Sequence, residues 1–359
     1  MFTYKHTFCL VILFVCTMIY PIPASATSGN SSQELIFLNW ADYIDPDLIQ
    51  KFEHQFKCKV RIVTFDGDDH RDQLLISTDG KNFDVVLVDG NSLHKYQRRG
   101  WLEKITNKEV PNIETIIPKW RSAYESAEDY AVPYFWGTVG IAFRTDLVKN
   151  PIESWMDLMK PSAELQGNFL MLPQSRELID IALKTLGYSV NTSGDPQAYA
   201  QASALLMEQK QYVREYDILA VDEGSALISG EVLAAMTYSG DALALQELNE
   251  NISYIVPHEG TVLWVDYLAV MAKSEKKKLA MDFMNFLNVA EHAAQHAQYM
   301  YYATPNRDAE KLLPKDFLSD PIIYPPHDIL EKCEIESDLS AREYKKRNVI
   351  FARVTQGKI

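Results

Sequence analysis

Residues 35–65 read LIFLNWADYIDPDLIQKFEHQFKCKVRIVTF. Leu35 to Leu38 is a short apolar run of the kind that forms a buried strand. Asp45-Pro46 is a helix start, with an acidic cap and proline at the first helical position. Leu48, Ile49, Phe52 and Phe56 then recur at helical spacing and mark one buried face. Lys59 to Phe65 alternates as a second strand. The order strand, helix, strand predicts an α/β layer with parallel neighbours.

The same alternation extends along the chain. Gly80 closes a helix around Leu74 to Ser77, Phe83 to Val88 is a strand, and Gly100 ends the following helix. Further on, Asn168 to Leu172 reads as a strand, and Ser175 to Leu186 and Ala198 to Tyr212 read as helices. Val232 to Thr237, Ile252 to Val256 and Val262 to Met271 are strands, and Glu275 to Leu287 is a helix with Ser274 as its N-cap. Mainly parallel sheets are expected, with no fixed-period repeat and no low-complexity linker after the N-terminus.

Three stretches put an aromatic residue beside a carboxylate: Trp40 to Tyr43 with Asp42, Tyr238-Ser239-Gly240-Asp241, and Trp264-Val265-Asp266. Each lies in or just after a strand-like run. In α/β sheets ligands sit beyond the carboxyl ends of strands. Trp40, Asp89, Gln174, and Tyr238 with Asp241 all follow strands in this reading, so they converge by position as well as by type. Ring faces attract ammonium groups and cover methylenes, while carboxylates accept charged hydrogen bonds. The pattern therefore suits a slender cation with apolar spacers.

Residues 1–26 have the layout of a secretory signal peptide. Lys5 precedes the apolar run Phe8 to Ile19, and Ala24-Ser25-Ala26 offers a small-residue cleavage site. That run is shorter than the roughly 20 residues of a membrane span. A formal charge of −14 over 359 residues argues against nucleic acid and anionic lipid as partners. Cys58 and Cys333 remain after cleavage and form no Cys-x-x-Cys pair.

Catalytic patterns are missing. The dinucleotide, P-loop and Gly-x-Ser-x-Gly patterns do not occur. His292 and His296 are four apart on a helix-like stretch, but Ala293 stands where a zinc protease has Glu, and an amphipathic or solvated face is expected. Asp66-Gly67-Asp68-Asp69 fails as a calcium loop at Arg71 and Ser77 and reads as a polar turn. Lys276 to Lys278 reads as a solvated face. Neither an enzyme nor a cofactor nor a metal site is expected.

Taken in order, Asn39-Trp40 with Tyr43, Phe83-Asp84-Val85-Val86, Val132-Pro133-Tyr134 with Trp136-Gly137, Ser175-Arg176-Glu177, Gly240-Asp241, Trp264-Val265-Asp266 and Tyr302-Ala303-Thr304-Pro305-Asn306 resemble the periplasmic spermidine- and putrescine-binding proteins of bacteria. The resemblance runs from about Leu35 to Gly357. It implies an α/β, two-lobed periplasmic binding protein fold with a ligand cleft between the lobes. Lobe one would hold 33–138 plus 265–310, and lobe two 139–264 plus 311–359. Cys58 and Cys333 would then lie on different lobes and stay free.

The resemblance also implies ligand residues. Trp40 and Tyr43 match the first aromatic pair, Glu177 a carboxylate for an amine, Trp264 and Asp266 an aromatic wall and the main carboxylate, and Tyr302 another wall. Asp241 matches the acid of the putrescine branch. Tyr238 replaces a Trp, Gln174 an Asp, Asp89 a Ser and Asn91 an aromatic, while Glu336 aligns with a Gln. These departures imply a polyamine of different length or spacing, such as norspermidine beside spermidine. Within the family the chain looks most like the norspermidine-sensing branch of marine bacteria. That branch implies a periplasmic sensor whose partner is an inner-membrane receptor with cyclic-di-GMP domains, controlling biofilm formation. The alternative is the binding subunit of an ABC importer, with a permease as partner.

Overall fold

The structure, a computed structural model, describes residues 33–357; the expected signal peptide lies outside the described residues. Its strands are β1 (Gln33–Trp40), β2 (Cys58–Phe65), β3 (Val85–Asp89), β4 (Ala131–Arg144), β5 (Phe169–Met171), β6 (Glu215–Tyr216), β7 (Ala234–Tyr238), β8 (Ile252–Ile255), β9 (Val262–Val270) and β10 (Glu334–Ile335). Their order is β2-β1-β3-β9-β4-β7-β5-β6, with β10 beside β9 and β8 beside β4.

The opening stretch folds as its pattern requires. Asp45 accepts a hydrogen bond from the Asp47 amide, and Pro46 is the first residue of the helix Pro46–Phe56. Leu48 and Phe52 are buried on it. That helix carries the chain back, so β1 and β2 pair in parallel, as do β1 and β3. At the far end β5 pairs in parallel with β6 and β7.

The centre departs from the parallel expectation. β9 is antiparallel to β3 and β4, and β4 is antiparallel to β7 and β8. The chain crosses from one half of the sheet to the other along β4 and returns along β9, so the two run in opposite senses. Ala131 to Thr138 of β4 face β9, and Val139 to Phe143 face β7. The partner changes between Thr138 and Val139, and this seam positions the aromatic–carboxylate segments.

Two apolar cores flank the sheet. The first gathers Phe37, Val86, Trp136, Tyr267 and Phe283 and continues under Ala235, Leu243 and Tyr254. The second gathers Trp155, Phe169, Ile179, Leu206, Met236 and Ile350. Trp264 packs against both. Each fully buried side chain of this size contributes about 1.5–3 kcal/mol.

Two local expectations need correction. Ser274 is not the N-cap: the helix begins at Lys277, and the Ser274 hydroxyl donates to Asp84 at 2.6 Å while accepting from the Lys276 amide. Asp68 and Asp69 are not in a polar turn but open the helix Asp68–Thr78, where their negative charge suits the positive end of the helix dipole. Of the two readings of the His292–His296 stretch, the amphipathic one holds: the helix Ala290–Met300 turns His296 inward with Ala293, Ala294 and Ala297. His296 is buried against Tyr134 and Phe135, and burial pushes its imidazole down to about 3, so it is neutral. Cys58 and Cys333 are free thiols. Lys276 reaches in to the buried Asp84, while Lys277 and Lys278 pair with Glu103 and Asp282 nearer the surface.

Candidate functional site

Strand pairing brings the separate motifs together. Asp266 of β9 lies opposite Asp89 of β3 on one side and Phe135 of β4 on the other. Trp264 lies opposite Gly137, and Tyr238 opposite Val139. Tyr302 joins them because Ala303 bridges to Trp136, whose amide donates to the Ala303 carbonyl at 3.2 Å. Residues 89, 238, 264, 266 and 302 therefore share the seam of the sheet.

Two glycines permit this crowding. A Cβ at Gly137 would lie 2.4 Å from the Trp264 ring, and one at Gly240 would lie 2.1 Å from the Tyr302 ring. The Gly240-Asp241 motif thus lets Tyr302 lie against the start of the helix Ser239–Leu248. The rings meet edge to face: Trp264 and Tyr302 at 5.1 Å, Tyr43 and Tyr302 at 5.7 Å, and Tyr238 and Trp264 at 6.4 Å. Such pairs contribute about 0.5–1.5 kcal/mol beyond area burial. Trp40 stands at the end of β1, half-buried, with its ring 4.5 Å from Phe65. The Tyr43 carbonyl is fixed by Asn39 Nδ2 and Tyr134 Oη, each at 2.9 Å.

Among the described residues, the carboxylates near these rings have no ion-pair partner. Tyr43 Oη donates to Asp266 at 3.1 Å, and no cation pairs with it among the described residues. Burial first, and the charge of Asp89 second, push Asp266 up to about 7. Burial pushes Asp241 up to about 6, against hydrogen bonds from Thr237 and Tyr302. Glu177 lies in the first turn of the helix Ser175–Thr185, where burial and then the charge of Glu336 push it up to about 8. Gln174 caps that helix by position only, and its Oε1 is buried with no hydrogen-bond partner.

Asp89 and Glu336 differ. Asp89 caps the helix Gly90–Arg98 by accepting from the Ser92 amide at 2.9 Å, and its other oxygen pairs with Arg71 at 2.6 Å. Burial raises the Asp89 carboxyl, but the Arg71 charge and the hydrogen bonds from Ser92 and Arg71 together outweigh it and hold the group below the usual range. Glu336 is buried, ion-paired with Arg176 at 3.0 Å and hydrogen-bonded by Asn91 Nδ2. The sequence reading missed the cations of both groups. Asp68-x-x-Arg71 at helical i, i+3 spacing was the available signal, and this pair closes at 2.9 Å.

For a metal, His94, Glu125 and Asp338 are the one described group whose donor atoms lie within 4.8 Å of one another; two of its members are exposed acids, a grouping common without an ion. Among the described residues no helix is long and apolar enough to cross a membrane.

Residues 47–325 match the bacterial extracellular solute-binding protein family. The chain is 31% identical over 327 residues to the norspermidine sensor of Vibrio cholerae, covering 90% of this chain and 89% of that protein. It is 29% identical over 319 residues to the spermidine/putrescine-binding periplasmic protein of Escherichia coli K12, covering 88% and 90%. The crystal structure of the spermidine/putrescine ABC transporter substrate-binding protein PotD of Streptococcus pneumoniae superposes with a TM-score of 0.81 at 28% identity, covering 91% of this chain and all of that one. The α/β, two-lobed architecture with a cleft between the lobes is thus that of solute capture and not of an enzyme. The chain belongs to the bacterial extracellular solute-binding proteins.

Proposed function

We propose that the chain is a periplasmic polyamine-binding protein. The observation that carries this reading is the group Asp266, Asp241 and Glu177: carboxylates with raised pKa values, without ion-pair partners among the described residues, near the rings of Tyr43, Tyr238, Trp264 and Tyr302. A buried carboxylate without a counter-charge is costly unless a cation arrives with the ligand. Ammonium groups separated by methylenes supply that charge, and the rings cover the methylenes. Relatives named for spermidine, putrescine and norspermidine support the class. In this reading Trp40, Tyr43, Glu177, Tyr238, Asp241, Trp264, Asp266 and Tyr302 line the ligand. Residues 33–138 plus 265–310 and 139–264 plus 311–359 close on it as two lobes. Calorimetric titration with putrescine, norspermidine and spermidine tests the reading, and the absence of heat with all three refutes it.

The finer role we assign is that of a sensor which, when closed on norspermidine or spermidine, regulates a membrane cyclic-di-GMP receptor and biofilm formation. The Vibrio cholerae relative favours it. The transport relatives favour the second reading, the binding subunit of an ABC importer. A deletion strain separates the two: altered biofilm with intact polyamine uptake supports the sensor, and lost uptake supports the importer.

A further inference from the structure

One wall of the site is made of charges that the protein balances by itself. Arg71 is fully buried. Its guanidinium pairs with Asp89 at 2.6 Å and Asp68 at 2.9 Å, and donates to Tyr96 Oη at 2.8 Å and Ser92 Oγ at 3.0 Å. Desolvation opposes its charge, but Asp89 and Asp68 hold it protonated. The wall continues from Asp89 to Asn91, two residues on, which donates to Glu336. Glu336 pairs with Arg176 at 3.0 Å. Beyond it, Asp180 is buried and pairs with Arg347, and burial first and the charge of Glu336 second raise its carboxyl. The Asn91–Glu336 bond joins the helix Gly90–Arg98 to the residue just past β10, across a long sequence separation.

The wall borders the unpaired carboxylates directly. Asp89 is the strand partner of Asp266. Glu336 and Asp68 both act on Glu177. Like charges opposite each other on adjacent strands are unfavourable. Arg71 offsets part of that conflict by pairing with Asp89, whose charge still raises Asp266, and Asp266 is left to meet an incoming ammonium. With Asp89 paired to Arg71 and Glu336 paired to Arg176, neither carboxylate is left without a counter-charge to receive a further ammonium of an extended polycation.

We propose that Arg71 and Arg176 are specificity-determining residues: as built-in cations they take up Asp89 and Glu336, close one end of the cleft, and restrict the ligand to diamines and short triamines whose ammonium groups meet Asp266, Asp241 and Glu177. Asp89 and Glu336 then belong to the wall and do not touch ligand. This inference rests on the polyamine reading and adds a length limit to it.

The test is calorimetry of the full mature chain with putrescine, norspermidine, spermidine and the tetraamine spermine. The wild type is expected to bind spermine at least tenfold more weakly than its best triamine. Arg71→Met frees Asp89, and Arg176→Met frees Glu336; each is expected to improve spermine relative to that triamine by at least tenfold. Arg71→Lys, which restores a cation, is expected to return the ratio toward that of the wild type. Melting curves establish that each variant is folded, and either methionine variant alone suffices if the other does not fold. Spermine binding as well as the triamines in the wild type overturns the inference, as does an unchanged ratio in the folded methionine variants. Silence of the wild type toward all four amines instead overturns the polyamine reading itself.

Discussion

Replacing Asp266 with Asn should move ligand binding and free-protein stability in opposite directions. The free carboxyl is held near 7, against an ordinary value of 3.8, by burial first and Asp89 second. That gap makes ionisation inside the folded protein costlier than in water by about 4 kcal/mol. A carboxyl raised by folding contributes stability at low pH that is lost as pH rises through the folded value. At pH 7.5 the ligand-free protein therefore carries most of this cost, and Asn removes it, with about 4 kcal/mol as the ceiling of the gain. Ligand binding goes the other way. Removing one partner of a buried ion pair typically costs about 3–5 kcal/mol, so polyamine affinity should fall by at least about 100-fold. Denaturant melts and calorimetry on the same samples read both effects. A variant that loses stability and affinity together would show that Asp266 is a structural residue, and one that keeps its affinity would place the ligand elsewhere.

Three other outcomes are expected. Because Glu177, Asp266 and Asp241 are raised to about 8, 7 and 6, the free site holds protons near neutrality, and an arriving ammonium displaces them. Affinity should weaken as pH falls from 8 to 5.5, and titrations in buffers of different ionisation heat should reveal proton release; a pH-independent affinity refutes ionised carboxylates as the ligand partners. Gly240→Ala would put a Cβ 2.1 Å from the Tyr302 ring, so that ring must move; binding should weaken with little loss of secondary structure, and unchanged calorimetry would remove Tyr302 from the site. Arg347→Met strands Asp180, which is itself buried, and should destabilise the fold by about 3–5 kcal/mol in denaturant melts.

The parts of the fold set by local pattern were legible. Asp45-Pro46 starts its helix as predicted, and the strands around Leu35, Phe83 and Val262 stand where their apolar runs predict them. β4 was not read as a strand. It is buried almost throughout, so it shows no alternation, and Pro133, Gly137 and Gly140 interrupt its apolar run. The antiparallel centre was equally hidden, because β9 meets β3 and β4 across long sequence separations. In the site, Trp264 and Asp266 stood out through composition and resemblance. Arg71 and Arg176 did not, because their meaning comes from Asp89 and Glu336, which only the tertiary fold brings to them. Ser274 shows the same limit at small scale: its hydroxyl is drawn to Asp84 from a distant strand end, so a good local cap residue does another task.

The most direct measurement is a crystal structure of the chain grown with norspermidine at pH 8. Ammonium nitrogens should lie about 2.7–2.9 Å from the carboxylate oxygens of Asp266 and Glu177, with the methylenes against Trp264 and Tyr302 and Arg71 still paired to Asp89. A ligand bound away from these carboxylates, or a cleft closed with Asp266 meeting only Tyr43, would contradict the account.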